Sequence, residues 1–205
     1  MLNRRNFLTS GLATGLFGLS SLASPALAHK AKGRKYVLPK KYMPREVRLR
    51  PNSLPAGEIH VYPDQFYLYW TLPGDKAIRY GVGVGRGNLY HPGTFYVGAK
   101  KEWPEWTPTK DMIKREPELF AKWAGGMPGG IENPLGARAL YLFTRAKGDS
   151  FLRLHGTNDP RTIGVAVSNG CARLVNDHVI DLYNRVPMGT KVVLYKKAGA
   201  GPAHT

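Results

Sequence analysis

The chain has 205 residues, 42% of them hydrophobic, with 30 Lys and Arg against 14 Asp and Glu and one cysteine. That length suffices for a single domain with a real core, and a lone cysteine excludes an internal disulfide framework. A net charge of +16 points to an anionic partner or surface.

Residues 1–28 read as an export signal removed from the mature protein. Arg4-Arg5 precedes Asn6-Phe7-Leu8 and a weakly apolar run from Gly11 to Ala23, and Ala26-Leu27-Ala28 offers a small-residue cleavage site before His29. The paired arginines and the diluted apolar run resemble a twin-arginine signal, from which Asn3 and Thr9 depart. Its apolar part falls short of the ~20 residues that a spanning helix needs. The expected location is therefore the periplasm or cell envelope.

Residues 29–55 carry nine basic side chains against the single acid Glu46, with Pro39, Pro44, Pro51 and Pro55 interspersed. This reads as an extended, solvated linker able to meet an anionic cell-envelope surface. An export signal argues against nucleic acid as the partner.

Residues 56–196 form the expected domain, and its pattern is mostly strand. Ile59–Tyr62 is short. In Gln65–Leu72 the residues Phe66, Leu68, Trp70 and Leu72 share a face, and after the Pro73-Gly74-Asp75 turn Ile78, Tyr80, Val82 and Val84 do the same across Ala77–Val84. Further strands are expected at Thr94–Ala99, Ala139–Phe143, Phe151–His155, Ile163–Val167 and Lys191–Tyr195. Short strands broken by Gly and Pro turns predict a mainly β fold, a β-sandwich or open barrel, with no alternating β-α-β units.

Two helical insertions are predicted. Thr109–Trp123 has Met112, Ile113, Leu119, Phe120 and Trp123 at helical spacing, with Pro117 breaking or bending it. Asn176 is placed to cap a second helix whose buried stripe is Val179, Leu182, Tyr183 and Val186. Both stripes read as core. Residues 197–205 read as a flexible tail.

Several motifs lack their required context. Gly83–Gly87 follows a strand, but Pro92-Gly93 follows where a dinucleotide fingerprint needs a helix. Gly125–Gly130 lacks the Gly-Lys-Ser/Thr of a phosphate loop and is either a lid or a surface loop. His155, Cys171 and His178 match no usual zinc spacing, so no metal is expected.

The chemistry concentrates at His155-Gly156-Thr157 and Ser168-Asn169-Gly170-Cys171-Ala172-Arg173. A lone cysteine is more often a small buried hydrophobe than a nucleophile. Here its neighbours are polar and include glycine, which suits an exposed turn. A histidine sixteen residues upstream can serve as base, Arg173 can lower the thiol pKa, and glycine lets backbone N–H groups approach an oxyanion. That combination reads as acyl transfer through a thioester.

From Glu58 to Tyr195 the chain resembles the YkuD-type L,D-transpeptidase family. The resemblance is carried by Gln65-Phe66-Tyr67-Leu68-Tyr69, Tyr80-Gly81-Val82-Gly83-Val84-Gly85, His91-Pro92-Gly93-Thr94-Phe95 and Asn133-Pro134-Leu135-Gly136. The site segments with Leu174, then Asn176 and Gly189-Thr190, complete it. It implies Cys171 as nucleophile, His155 as base and the Gly156 carbonyl as the group that orients the imidazole. Ser168 is implied to brace the turn, with backbone N–H groups around Gly170 and Cys171 as oxyanion donors. Arg173 stabilises the loop or meets a substrate carboxylate, and Thr157 belongs to the substrate side. Asn169, counted with Ser168 and Gly170 as support of the oxyanion site, stands where many relatives carry a second histidine.

The implied reaction joins Cys171 to the L-centre of diaminopimelate in a peptidoglycan tetrapeptide and expels D-Ala, with no cofactor. Another stem as acceptor gives a 3→3 cross-link, a protein lysine gives wall anchoring, and water gives carboxypeptidase activity. The rivals are a non-catalytic wall-binding module and a metal-dependent peptidase.

Overall fold

The computed structural model describes residues 36–197. The expected signal over 1–28, the first part of the basic stretch and the tail beyond Lys197 lie outside the described residues.

Two antiparallel meanders build the molecule. The first comprises β2 (Ile59–Tyr62), β3 (Tyr67–Leu72) and β4 (Lys76–Gly81), preceded by β1 (Arg45–Arg48). After the short β5 (Val84–Gly85), the second comprises β6 (Gly93–Glu102), β7 (Arg138–Thr144) and β8 (Gly148–His155). The chain continues through β9 (Ala166–Ser168), β10 (Ala172–Arg173) and β11 (Lys191–Leu194). β11 runs parallel to β2 and antiparallel to β6, joining the meanders in a sheet of order β1-β4-β3-β2-β11-β6-β7-β8-β10. β5 and β9 form a separate parallel pair.

Alternation along each strand decides which residues meet. Ile59, Val61, Leu68, Trp70 and Tyr80 from one meander share a buried cluster with Phe95, Val97, Leu140, Leu142, Leu152 and Leu154 from the other. Residues from both ends of a nine-stranded sheet can share a core only if the sheet curls to face itself. The result is mainly β and sandwich-like. Each buried Leu, Ile or Val adds about 1.5–3 kcal/mol.

Among the described residues three short α-helices complete the fold: α1 (Lys110–Arg115), α2 (Pro117–Phe120) and α3 (Asn176–Arg185). Thr109 caps α1 by accepting from the Met112 N–H, and Pro117 opens α2, where its missing N–H is not needed. The stripe expected to be core in this insertion is not core. No residue of α1 or α2 is buried, and Leu119 is exposed. Helical spacing shows only that apolar residues share a face. Here Met112, Ile113, Phe120 and Trp123 are only half-buried, with the Trp106 ring edge-on to Phe120.

α3 does bury Val179, Leu182 and Val186, with Tyr183 packed partly against them. Asn176, however, does not cap it. Val175 holds that position without a side-chain bond, and Asn176 Oδ1 instead accepts from the Ala137 N–H at 3.0 Å.

The basic stretch read as a solvated linker is, from Tyr36 onward, part of the domain. β1 pairs with β4, Leu49 and Tyr42 are buried, and Tyr42 lies against Gly81 and Gly164. Arg45 and Arg48 are exposed on β1, an edge strand of the sheet, where charge discourages further pairing. The strand expected at Ile163–Val167 is shortened to Ala166–Ser168, because Gly164 adopts φ +82° and interrupts it. The Gly125–Gly130 loop is held by paired Trp106–Met127 hydrogen bonds and by the Asn133 amide.

Candidate active site

β10 lies parallel to β8, with Ala172 opposite Leu154 and Arg173 opposite His155. One step back along the chain places Cys171 beside Arg153. Leu152, Leu154 and Ala172 face the core, so alternation turns Arg153, His155, Cys171 and Arg173 to the outer face. Cys171, the residue just before β10, and His155 are thus diagonal neighbours across the β8–β10 pair. Among the described residues the thiol and imidazole do not hydrogen-bond; such bonds between catalytic groups often tighten only when substrate is bound.

The imidazole is fixed in orientation. Nδ1 lies 2.6 Å from the Gly156 carbonyl oxygen. A carbonyl can only accept, so Nδ1 carries the proton and Nε2 presents a lone pair. Asn176 supports this segment: a Cβ on Gly156 would stand 2.3 Å from Asn176 Oδ1 and 2.9 Å from the Ala137 nitrogen. The helix, the start of β7 and the end of β8 therefore meet where the histidine is oriented.

Both reactive groups are neutral at rest. Burial, then the Arg173 charge, pushes the His155 imidazole down to about 3, against the opposing Gly156 hydrogen bond. Cys171 is partly exposed, yet its sulfur is closely surrounded. Burial raises its pKa by more than the Arg153 N–H and the Arg153 and Arg173 charges lower it. This corrects the expectation of a depressed thiol. Arg173 acts in the expected direction, but desolvation outweighs it.

The nucleophile turn is braced by Ser168, whose Oγ donates to the Cys171 carbonyl at 2.6 Å and accepts from the Gly170 N–H at 3.3 Å. Gly170 sits at φ +122°, and a Cβ there would approach the Leu89 carbonyl to 2.9 Å, so only glycine fits. With Gly170 N–H engaged, the Cys171 N–H is the donor left for an oxyanion.

Asn169 does not point at the thiol's chemistry. Its Oδ1 accepts from Arg115 Nη2 at 2.8 Å, and the adjoining Glu116 pairs with Arg86, whose N–H bonds the Ser168 carbonyl. The α1–α2 corner is thereby fastened at two points beside the turn. Thr157 is buried, with its Oγ1 engaged with Asp159 within its own turn, and it lines a pocket with Asn158 and Asn176. His178 packs against Tyr80 on the buried side of α3, and among the described residues no three metal-ligating side chains converge.

Two arginines flank the thiol differently. Arg173 has no side-chain hydrogen bond or ion pair among the described residues, and its Nε is buried without an acceptor. Arg153, which sequence reasoning passed over, forks onto Asp149 at 2.6 and 2.8 Å and lies 4.0 Å above the Tyr141 ring. Its alternation with Leu152 and Leu154 was the available signal.

A curled β-sheet that presents a cysteine and a tautomer-fixed histidine on one face defines a site suited to acyl transfer by a thiol. Residues 56–194 match the family model of the L,D-transpeptidase catalytic domain, YkuD. A putative L,D-transpeptidase of Fuscovulum blasticum is 31% identical over 93% of this chain and 96% of its own length. The probable L,D-transpeptidase YcfS of Escherichia coli is 36% identical over 67% of this chain, which spans 43% of that relative. Among solved structures, a Brucella melitensis protein described as a probable carnitine operon oxidoreductase aligns with TM-score 0.52 at 43% identity, over 77% of this chain and 96% of its own. Enterococcus faecium L,D-transpeptidase shares the fold, with TM-score 0.50 at 14% identity over 69% of this chain and 50% of its own. The chain belongs to the YkuD family of L,D-transpeptidases.

Proposed function

We propose that the protein transfers peptidoglycan stem peptides through a thioester on Cys171. The observation carrying this reading is the His155–Gly156 lock on the face that holds Cys171. A wall-binding module has no need for an imidazole with a fixed tautomer.

In this reading His155 Nε2 takes the thiol proton as Cys171 Sγ bonds the carbonyl carbon at the L-centre of diaminopimelate. The Cys171 N–H receives the oxyanion. Collapse breaks the C–N bond to D-Ala, and the imidazolium returns its proton to the leaving amine. A buried imidazole with so low a pKa holds that proton only in passing. The unpaired Arg173 guanidinium receives the terminal D-Ala carboxylate, since a desolvated cation without a protein partner favours an anionic ligand. An acceptor amine then attacks the thioester and Cys171 is released. No cofactor enters these steps. Export through the segment at 1–28, and work in the periplasm or envelope near an anionic surface, complete the proposal.

The raised thiol pKa favours the rival wall-binding module, and turnover separates the two. With purified disaccharide tetrapeptide, the wild type releases D-Ala and yields cross-linked dimer or trimmed tripeptide by mass spectrometry, and Cys171→Ala yields neither. A wild type that releases no D-Ala and carries no thioester contradicts the proposal.

A further inference from the structure

We propose that the Asp149–Arg153 pair is a subsite for the zwitterionic far end of the diaminopimelate side chain in the acyl donor. This inference rests on the transpeptidase reading above and adds the group that selects the donor.

Position comes first. Arg153 stands beside Cys171 in the β8–β10 register and on the same outer face. Its partner Asp149 is close enough for its charge to act on the thiol. A regular strand would hold residues four apart at about 13 Å. Here β8 is distorted: Phe151, a non-glycine residue, takes φ +60°, its N–H donates to Asp149 Oδ1, and the pairing with β7 shifts between Tyr141 and Phe143. Bulges of this kind occur beside active sites, where they re-aim side chains. This one also leaves Phe151 73% exposed next to the pair, where an apolar side-chain stem can lie against it.

Chemistry selects the ligand. Arg153 spends one Nη1 and one Nη2 bond on Asp149 and another Nη1 bond on the Leu152 carbonyl. A guanidinium has five N–H donors, so two remain for a carboxylate. Asp149 is one-third exposed and can accept from an ammonium. A neutral pair presenting both signs matches a carbon that bears both an amine and a carboxylate better than it matches either charge alone. Arg173, with no ion pair among the described residues and the Asp159 charge acting on it only from beyond contact, suits a simple carboxylate. Asp149 also keeps a bound amine protonated and therefore non-nucleophilic. That assigns the subsite to the donor and not to the attacking acceptor.

The test is calorimetric titration of the Cys171→Ala protein, which binds without turnover. Three tetrapeptides serve as probes: one with diaminopimelate, one with its distal carboxyl amidated, and one with lysine in its place. The diaminopimelate stem should bind about tenfold tighter than the other two. Adding Arg153→Met should erase that preference, and Arg153→Lys should restore part of it. If Arg153→Met fails to fold, Asp149→Asn carries the test and should likewise lose the preference. Equal binding of all three stems overturns the proposal, as does a variant that weakens all three by one common factor. Selective binding by a protein whose wild type releases no D-Ala would support the subsite and sink the transpeptidase reading alone.

Discussion

The outer face of the curled sheet has two halves built by the same alternation and finished differently. Over β2, β3 and β4 the outward residues His60, Tyr62, Tyr69 and Arg79 are buried. The segment from Tyr36 to Pro55 and Tyr195 cover them, with Tyr195 stacked on Tyr62 at 4.3 Å and the Arg79 guanidinium 4.0 Å above Tyr67. Over β7, β8 and β10 the outward residues Tyr141, Arg153, Cys171 and Arg173 keep partial exposure, and of that face's site residues only His155 is buried. A strand's outward positions are equivalent until the chain lays something over them. One half is covered by chain and the other is left partly open.

The histidines repeat the contrast. His60 is pushed down to about 4, mainly by burial, with Glu58 opposing and Lys191 adding to the effect. Its Nδ1 meets the Tyr195 hydroxyl and its Nε2 faces Glu58. His155 is pushed lower still, yet one of its nitrogens is kept free of protein partners.

Substitutions should separate the halves. Gly156→Ala, in the open half, collides with Asn176 and displaces the carbonyl that orients His155. A misplacement of that kind costs about 10²-fold in rate, visible as slowed D-Ala release with the fold retained by circular dichroism. Tyr42→Ala, in the closed half, removes a buried ring and should cost about 3 kcal/mol in urea unfolding. Acylation of Cys171 per folded molecule should be unchanged. Loss of acylation in that variant would show that the halves are coupled.

Acid should weaken both halves. The unfolded chain binds protons near pH 6.5 that the folded histidines refuse, so stability is full above that pH. It falls toward about 4 for His60 and about 3 for His155, each by at most ~1.4 kcal/mol per pH unit. Urea titrations at pH 7, 5.5 and 4.5 should show this slope, lessened by one proton in His60→Gln. The smallest effect belongs to Arg115→Ala, which unfastens an exposed contact to Asn169. KM for the tetrapeptide should change about threefold with kcat held, in keeping with exposed polar contacts.

What the sequence made legible follows from locality. β3 and β4 show their alternation, and Leu68, Trp70 and Tyr80 on the expected faces are buried in the core. The burial of Tyr69 and Ala77 on the opposite faces depends on the segment laid over them. β2, β7 and β11 were legible as strands without an assigned face. β1 and β10 were missed because Arg45–Arg48 is charged and Ala172–Arg173 is only two residues long, so their strand character comes from the neighbours they pair with. At the site, Cys171, His155 and Gly170 were readable from spacing and backbone chemistry, and Gly156 and Ser168 only through the family resemblance. The Arg115–Asn169 and Arg86–Glu116 contacts span 54 and 30 residues, and nothing local to either partner announces them. Asn176 has a cap's identity and position, but a closer demand from Ala137 claims its side chain.

The central claim is that a neutral thiol is activated by a neutral, orientated imidazole. Its most direct test is the rate of carbapenem adduct formation on the intact protein from pH 5 to 9, read by mass. The wild type should gain one adduct on Cys171 at a rate nearly level from pH 5 to 8. His155→Ala should be slower by about 10²-fold at neutral pH and rise about tenfold per pH unit as thiolate forms. A His155→Ala protein that reacts as fast as the wild type, or a wild type with the same steep rise, would contradict it.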